Sequence, residues 1–161
     1  MRNTFVPILL LAAIVGCAAK PNRVQEELIE QQSSPYRQRG TASIAGRAFL
    51  IAPDGRQIPG RSEEIFLTPV TSWAESRVPE VVKANKIPMG DDRAAQVWWT
   101  TRADTTGGFS FEELAPGEYF VLCSISFNAG GQAMERVAYT RVMLAPGQVA
   151  DVQVTRQLGA E

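Results

Sequence analysis

The sequence predicts an all-β protein: an antiparallel β-sandwich with one long loop insertion that has room for a short helix. From residue 41 onward, apolar and polar residues alternate in short runs, which is the period of strands with one buried face. Turn residues such as Gly, Pro, Asn and Asp separate these runs. Long helical stripes do not alternate with the strands, so a parallel α/β sheet is not expected.

Composition excludes several classes of function. The chain has 161 residues, of which 45% are hydrophobic and 20% charged, a balance typical of one globular domain with a short extension. A formal net charge of −1 provides no basic surface for nucleic acid, so nucleic acid is not an expected partner. Histidine is absent, which excludes Ser-His and Cys-His nucleophile pairs and histidine zinc sites. Catalysis by carboxylates alone stays open on composition, but the sequence shows no candidate pair of base and nucleophile. We therefore expect a non-enzymatic protein without a metal site or a cofactor.

The predicted sandwich spans residues 41–157, and its strands are bounded by turn residues. They are expected at 41–51, 64–70, 96–101, 118–127, 137–144 and 149–154, with Phe109 and Phe111 in one more strand after a turn at 104–107. The strongest pattern is that of 118–127, where Tyr119, Val121, Cys123, Ile125 and Phe127 share one face. On that face we expect the Cys123 thiol to be buried and inert.

Residues 72–95 form the insertion. Pro79 is expected at the first position of two helical turns that extend to Lys86. Long loops of compact domains often carry function, which makes this insertion a candidate interaction region.

The tryptophans are the candidate contact residues for a ligand or a partner. Trp98 and Trp99 are adjacent in a predicted strand and must point to opposite faces, while Trp73 lies at the start of the insertion. An exposed pair formed by Trp73 and Trp98 could stack on a sugar ring or hold a protein partner. The alternative is that the insertion folds over the sheet and buries both rings.

Three pairs of acidic residues, Glu63-Glu64, Asp91-Asp92 and Glu112-Glu113, were considered as calcium ligands. None has the spacing of a calcium-binding loop, so solvated surface charges are the preferred interpretation.

Residues 1–16 have the pattern of a secretory signal peptide. Arg2 precedes an apolar run of about eleven residues, which is shorter than the roughly 20 residues that span a bilayer. The following Ile14-Val15-Gly16-Cys17 resembles the cleavage box of a bacterial lipoprotein signal. This resemblance implies that Cys17 becomes the first residue and carries lipid, palmitate among its acyl chains, which would anchor the protein to a membrane. A conventional signal peptide with an incidental cysteine is the alternative.

The same resemblance bears on location. Ala18 follows the cysteine where an Asp would signal retention at the inner membrane, which implies the outer membrane, facing the periplasm of a bacterial envelope. Lipidation of Cys17 would leave only Cys123, so no internal disulfide is expected.

Residues 17–40 are expected to form a flexible tether. Val24, Leu28 and Ile29 make an apolar stripe too short to be a stable helix alone, so a transient helical turn is predicted. A helix that docks on a partner is the alternative.

Three motifs together resemble the carboxypeptidase regulatory-like domain. They are Gly46-Arg47-Ala48, then Asp104-x-x-Gly107-x-Phe109-x-Phe111, then Leu114-Ala115-Pro116-Gly117-Glu118-Tyr119-x-Val121. The resemblance extends from about Thr41 to Arg156, with the insertion as the main departure. It implies a transthyretin-type, Ig-like β-sandwich and a non-catalytic accessory role, and it implies no ligand.

The function expected from these observations is that of a lipid-anchored envelope protein whose sandwich has a structural or protein-binding role. A sheet edge or the insertion would contact another envelope protein. The alternative is a module that binds glycans or the cell wall through Trp73 and Trp98.

Overall fold

The structure, a computed structural model, describes residues 23–87 and 98–159. Within these residues the chain forms eight strands, two α-helices and one 3₁₀ helix. In chain order the elements are α1 (Arg23–Ser33), the 3₁₀ helix Ser34–Arg37, β1 (Ala42–Ile51), β2 (Gln57–Pro59), β3 (Glu64–Pro69), α2 (Ser72–Ala84), β4 (Trp99–Arg102), β5 (Gly108–Leu114), β6 (Gly117–Ala129), β7 (Gln132–Leu144) and β8 (Val149–Gln157).

Two four-stranded sheets make up the sandwich. In the first sheet, β8 pairs in parallel with β1, whereas β5 and β2 pair in antiparallel fashion with its two halves. Because β8 runs along nearly all of β1, both β5 and β2 must lie on the other side of that strand. The second sheet is antiparallel throughout, in the order β4-β3-β6-β7. The predicted all-β sandwich is confirmed.

The inner layer, between the sheets, is centred on β6. Tyr119, Val121, Cys123 and Ile125 have a relative exposure of 0% and join one apolar cluster with buried residues of β1, β3, β5 and β8. This is the face that the alternating pattern predicts. The Tyr119 hydroxyl donates a hydrogen bond of 2.8 Å to the Ala115 carbonyl, which ties β6 to the turn before it.

A second, outer layer covers the opposite face of the same sheet. Phe66 of β3 and Phe120 and Leu122 of β6 pack there against Val78 and Val81 of α2. Ser124 and Ser126 lie further along that face of β6 and are less buried than Phe120 and Leu122. Because two apolar side chains precede them on the same face, β6 is covered on both sides where α2 crosses it.

Helix α2 is longer than predicted. It begins at Ser72, not at Pro79, which lies inside it. A proline in a helix interior costs about 3 kcal/mol. Burial of Val78 and Val81 contributes about 1.5–3 kcal/mol each, which offsets that cost. Residues 88–95, the rest of the predicted insertion, lie outside the described residues.

Both ends of α2 are fixed by side chains. At the start, the Thr71 hydroxyl accepts a hydrogen bond of 3.1 Å from the backbone N–H of Ala74. At the end, Asn85 adopts a left-handed conformation with φ 51°. Arg156 of β8 donates to the Val82 carbonyl at 3.1 Å, to Asn85 Oδ1 at 2.7 Å and to the Val137 carbonyl at 3.1 Å. One guanidinium thus joins α2, β7 and β8.

The predicted tether differs from the structure from residue 23 onward. Arg23–Ser33 is an α-helix, and its Ile29 side chain is buried at 7% exposure. Gln32 Oε1 accepts hydrogen bonds from the backbone N–H and the hydroxyl of Ser72, at 2.9 and 3.0 Å. A short amphipathic stretch becomes helical here because tertiary contacts compensate for its weak intrinsic stability. None of the helices in the described part of the chain is long and apolar enough to cross a bilayer.

The remaining strand predictions agree within a few residues. β2 was not predicted, because three residues are too short to show a period. β4 begins at Trp99, and residues 96–97 of the predicted strand fall outside the described residues.

Replacing Tyr119 with Phe tests the bond that ties β6 to its turn. The Ala115 carbonyl, in a residue only 5% exposed, would lose this donor. The free energy of unfolding should fall by about 1–3 kcal/mol in urea titrations. Tyr139→Phe is the control, because the Tyr139 ring is 44% exposed and should change the stability by less than about 0.5 kcal/mol. Equal stability of Tyr119→Phe and the parent would mean that the hydroxyl contributes nothing.

A second prediction concerns the Cys123 thiol. Burial, with a smaller effect from the Glu63 carboxylate, raises its pKa from 9.0 to about 12. The folded chain therefore keeps a proton that the unfolded chain releases, and this residue's contribution to stability declines as pH rises from about 9 towards 12. In a Cys17→Ser variant at pH 8.5, a thiol-reactive dye should label Cys123 in urea but not in buffer. Rapid labelling of the folded variant would contradict this prediction.

Candidate functional site

A cleft of about 360 Å³ opens where the edge strands of the two sheets, β4 and β5, lie beside the segment after α1. We call it the edge cleft. Its lining combines three aromatic residues with charged and polar ones. The lining residues are Tyr36, Trp99 and Phe111, then Arg37, Gln38, Arg39, Glu112 and Glu113, with Leu114.

Two aromatic rings of the edge cleft are held by the core. Tyr36 and Trp99 are each half-buried, and both contact Tyr119 edge to face, with ring centroids 5.2 and 6.3 Å away. Burial raises the pKa of Tyr119 well above its usual value, and Tyr36 adds a smaller effect in the same direction. Tyr119 therefore keeps its proton and its bond to Ala115, and it gives both cleft rings a fixed support.

The polar side of the cleft carries paired charges. Arg39 Nη1 lies 3.2 Å from Glu113 Oε1 and 3.1 Å from Glu113 Oε2, with the two side chains 84% and 59% exposed. Arg37 Nη2 lies 2.6 Å from Glu30 Oε2 on α1. These charged groups remain in contact with water, so they can form further hydrogen bonds with a ligand.

A β-bulge in β5 directs two consecutive carboxylates to the cleft. Phe111 pairs with Ile44 and Leu114 with Ala42. Between these two pairs β5 therefore contains one residue more than β1. Glu113 adopts φ 57°, a left-handed conformation that is unusual for a residue other than glycine. Phe111 and Leu114 stay buried, while Glu112 and Glu113 between them are both exposed. In a regular strand these two side chains would face opposite sides.

Gly40 fixes the segment that borders the cleft. Its backbone N–H donates a hydrogen bond of 2.9 Å to the Glu113 carbonyl. A Cβ at this position would lie 1.9 Å from the Leu114 carbonyl oxygen, so only glycine allows this approach. Residues 37–39 are therefore held against the bulge.

The tryptophans singled out from the sequence do not line this cleft. Trp73 and Trp98 are half-buried in the outer layer, where the Trp98 ring lies 5.4 Å from that of Phe66. Trp99 belongs to the inner layer, so the adjacent rings do point to opposite faces, as predicted. The period of two predicts opposite faces but cannot tell which ring will border a cavity.

Sequence reasoning missed Tyr36 and the role of Trp99. Tyr36 was assigned to the tether, yet it is the only aromatic residue among residues 17–40, which is a signal that could have been noticed. Its hydroxyl accepts a hydrogen bond of 3.4 Å from the backbone N–H of Glu118. The contact joins positions far apart in sequence, and no local pattern predicts it.

The acidic pairs fall in separate places. Glu112 and Glu113 border the cleft, Glu63 Oε1 accepts a hydrogen bond of 3.1 Å from the backbone N–H of Ser126, and Asp91-Asp92 lies outside the described residues. Among residues 23–87 and 98–159, no three His, Cys, Asp or Glu side chains are grouped as metal ligands.

Comparison with known proteins agrees with the fold. No protein-family model matches the sequence, and no curated protein sequence matches it. Among solved structures, the chain is similar to a proposed carbohydrate-binding protein of Pseudomonas aeruginosa, with a TM-score of 0.65 and 22% sequence identity. The similarity covers 79% of this chain and 96% of the other. At that identity the likeness demonstrates a shared β-sandwich fold.

Proposed function

We propose that this chain is a non-catalytic glycan-binding module and that the edge cleft is its sugar site. The observation that carries the proposal is the pairing of two half-buried aromatic rings, Tyr36 and Trp99, with the exposed Arg39–Glu113 ion pair in one cavity. The cavity volume of about 360 Å³ is at the lower end of the range for small-molecule sites, about 300–1,000 Å³. Such a volume suits one or two sugar rings.

The chemistry of a pyranose matches this lining. One face of the sugar presents C–H groups that can pack on an aromatic ring, while its edge presents hydroxyl groups. A guanidinium donates several hydrogen bonds in a fixed plane, and a carboxylate accepts them. Arg39 and Glu113, 3.1 Å apart, therefore offer donors and acceptors together to neighbouring hydroxyls.

Rigidity of the cleft supports binding of a weakly apolar ligand. Tyr36 and Trp99 are held by Tyr119, and Gly40 holds the polar side against β5. Groups that are already ordered lose little conformational entropy when a ligand binds. More of the favourable free energy of the contacts with the ligand then appears as affinity.

The likeness to the Pseudomonas aeruginosa protein gives further support, since that protein is proposed to bind carbohydrate. Shared fold alone does not transfer a function, so the lining of the cleft remains the main argument. The resemblance to carboxypeptidase regulatory-like domains supports the non-catalytic part of the proposal.

The protein-binding role expected from the sequence has less support. Its candidate surfaces were a sheet edge and the insertion, and helix α2 of the insertion already uses its apolar residues Ala74, Val78 and Val81 against the sheet. What remains outward on α2 is mostly polar, as at Glu75, Ser76 and Glu80.

We further propose that lipid on Cys17 anchors the module to a bacterial membrane, with the outer membrane, facing the periplasm, as its place. Residues 1–22 lie outside the described residues, and the signal pattern carries this proposal. Helix α1 begins at Arg23, so the intervening residues span at most about 20 Å when fully extended. The module would stay close to the lipid surface.

Substitution of Trp99 tests the sugar site. Trp99→Leu keeps apolar volume against Tyr119 but removes the indole, and it should weaken binding at least tenfold, which corresponds to about 1.4 kcal/mol. Dissociation constants would be measured by calorimetry with cellobiose, maltose, lactose and N,N′-diacetylchitobiose.

Trp73→Leu and Trp98→Leu are matched controls, because both rings are half-buried but lie in the outer layer. They should bind as the parent does. Loss of binding in these two variants alone would place the sugar site on the outer face. Failure of the parent to bind any of the four disaccharides would contradict the proposed function.

The anchoring proposal has its own test. Mass spectrometry of the detergent-extracted protein should give a chain that begins at Cys17 and carries a lipid mass. A Cys17→Ser variant should lack that mass and fractionate away from membranes. An unmodified Cys17 in the native protein would rule out the lipid anchor.

A further inference from the structure

We propose that the edge cleft selects neutral sugars over acidic sugars and that Glu113 is the residue that sets this specificity. The inference rests on the proposed function, since it names the class of sugar that the same site takes. Glu113 would accept hydrogen bonds from sugar hydroxyls, and together with Glu112 it would repel a sugar carboxylate.

The charges around the cleft disfavour an acidic ligand. Its lining holds two guanidinium groups, Arg37 and Arg39, and both already have carboxylate partners, Glu30 at 2.6 Å and Glu113 at 3.1 Å. Glu112 adds one more negative charge to the lining. The charges of the lining itself balance, and Glu30, the partner of Arg37 on α1, adds one negative charge next to it. Among the described residues that line the cleft, no positive charge is thus left without a carboxylate.

These charges act differently on the two sugar classes. A uronate that bonds to the remaining N–H groups of Arg39 or Arg37 would lie beside the carboxylate already paired with that guanidinium, Glu113 or Glu30. Like charges placed together lower affinity. A neutral sugar meets no such repulsion, and its hydroxyls can donate to the Glu113 carboxylate while Arg39 stays paired.

The backbone conformation of Glu113 is unfavourable for a residue other than glycine. At φ 57° a glycine would fit without strain, yet the chain carries a long charged side chain there. Unfavourable backbone conformations of this kind are found at ligand sites, where the side chain is needed in a particular place. The surface ion pair with Arg39 contributes too little stability to account for the residue.

The β-bulge determines where the Glu113 side chain lies. The bulge between Phe111 and Leu114 leaves both intervening carboxylates on the cleft, beside the rings of Tyr36 and Trp99. A carboxylate next to an aromatic surface can bind the hydroxyl edge of a sugar whose C–H face packs on the ring. The bulge therefore places the carboxylate where it can bind the sugar hydroxyls.

The left-handed backbone at Glu113 allows the side chain to be removed without destabilising the fold. Glu113→Gly removes the carboxylate, frees Arg39, and suits the left-handed conformation, so the midpoint of thermal unfolding should stay the same or rise. Asp151→Asn is the matched control. It also removes one exposed negative charge, but on β8, which lies on the opposite side of β1 from β5.

The probes are three matched pairs: the methyl glycosides of glucose, galactose and mannose, and the corresponding uronic acids. Dissociation constants would come from titrations monitored by the indole N–H signals in NMR spectra. The parent and Asp151→Asn should bind at least one neutral sugar at least tenfold more tightly than its uronic acid. In Glu113→Gly, neutral binding should weaken about tenfold, and the preference over the uronic acid should fall at least fivefold.

The outcomes separate this inference from the proposed function. Binding that depends on Trp99 but favours the uronic acids, or a preference that Glu113→Gly leaves unchanged, would overturn the inference and leave the sugar site in place. A parent that binds none of the six probes would overturn the inference, and if it also binds none of the four disaccharides, it would overturn the proposed function. Binding that does not depend on Trp99 would overturn both.

Discussion

The burial of β6 on both of its faces is the constraint on which the rest of the molecule depends. Tyr119, Val121 and Cys123 fill the space between the sheets, while Phe120 and Leu122 support α2 on the other side. A shift of this strand by one residue would exchange its two sets of side chains between the layers, and neither layer would keep its packing. The register of both layers, and the position of the helix, are therefore set by the same few residues.

This constraint extends to the edge cleft through Tyr119. The ring lies in the inner layer, its hydroxyl is bonded to the turn before β6, and its edges contact Tyr36 and Trp99. The cleft is thus an extension of the core at the edge where β4 and β5 stand apart. A cleft supported in this way needs few ordered loops, because its rings are already fixed by packing.

Much of the sandwich could be predicted from the sequence, because alternation reports burial on one face. The alternating pattern does not report contacts between residues distant in sequence, and the predictions failed where such contacts decide the structure. Helix α2 was underestimated because Pro79 normally marks a helix start, and only the sheet beneath shows that its interior position is tolerated. Likewise, Tyr36 reaches the cleft through contacts distant in sequence. The bulge, in contrast, is visible in the local spacing of apolar residues. Phe109 and Phe111 are two residues apart, as in a regular strand, whereas Leu114 comes three residues after Phe111.

Arg156 has a consequence for how copies of this protein meet. The outer edge of β7 has no strand paired with it among the described residues, and it is thirteen residues long. Exposed edges of that length are templates for pairing between chains. By occupying the Val137 carbonyl and attaching α2 and β8 beside it, Arg156 blocks the middle of that edge. Two copies of the chain would thus be kept from pairing their sheets along this part of β7.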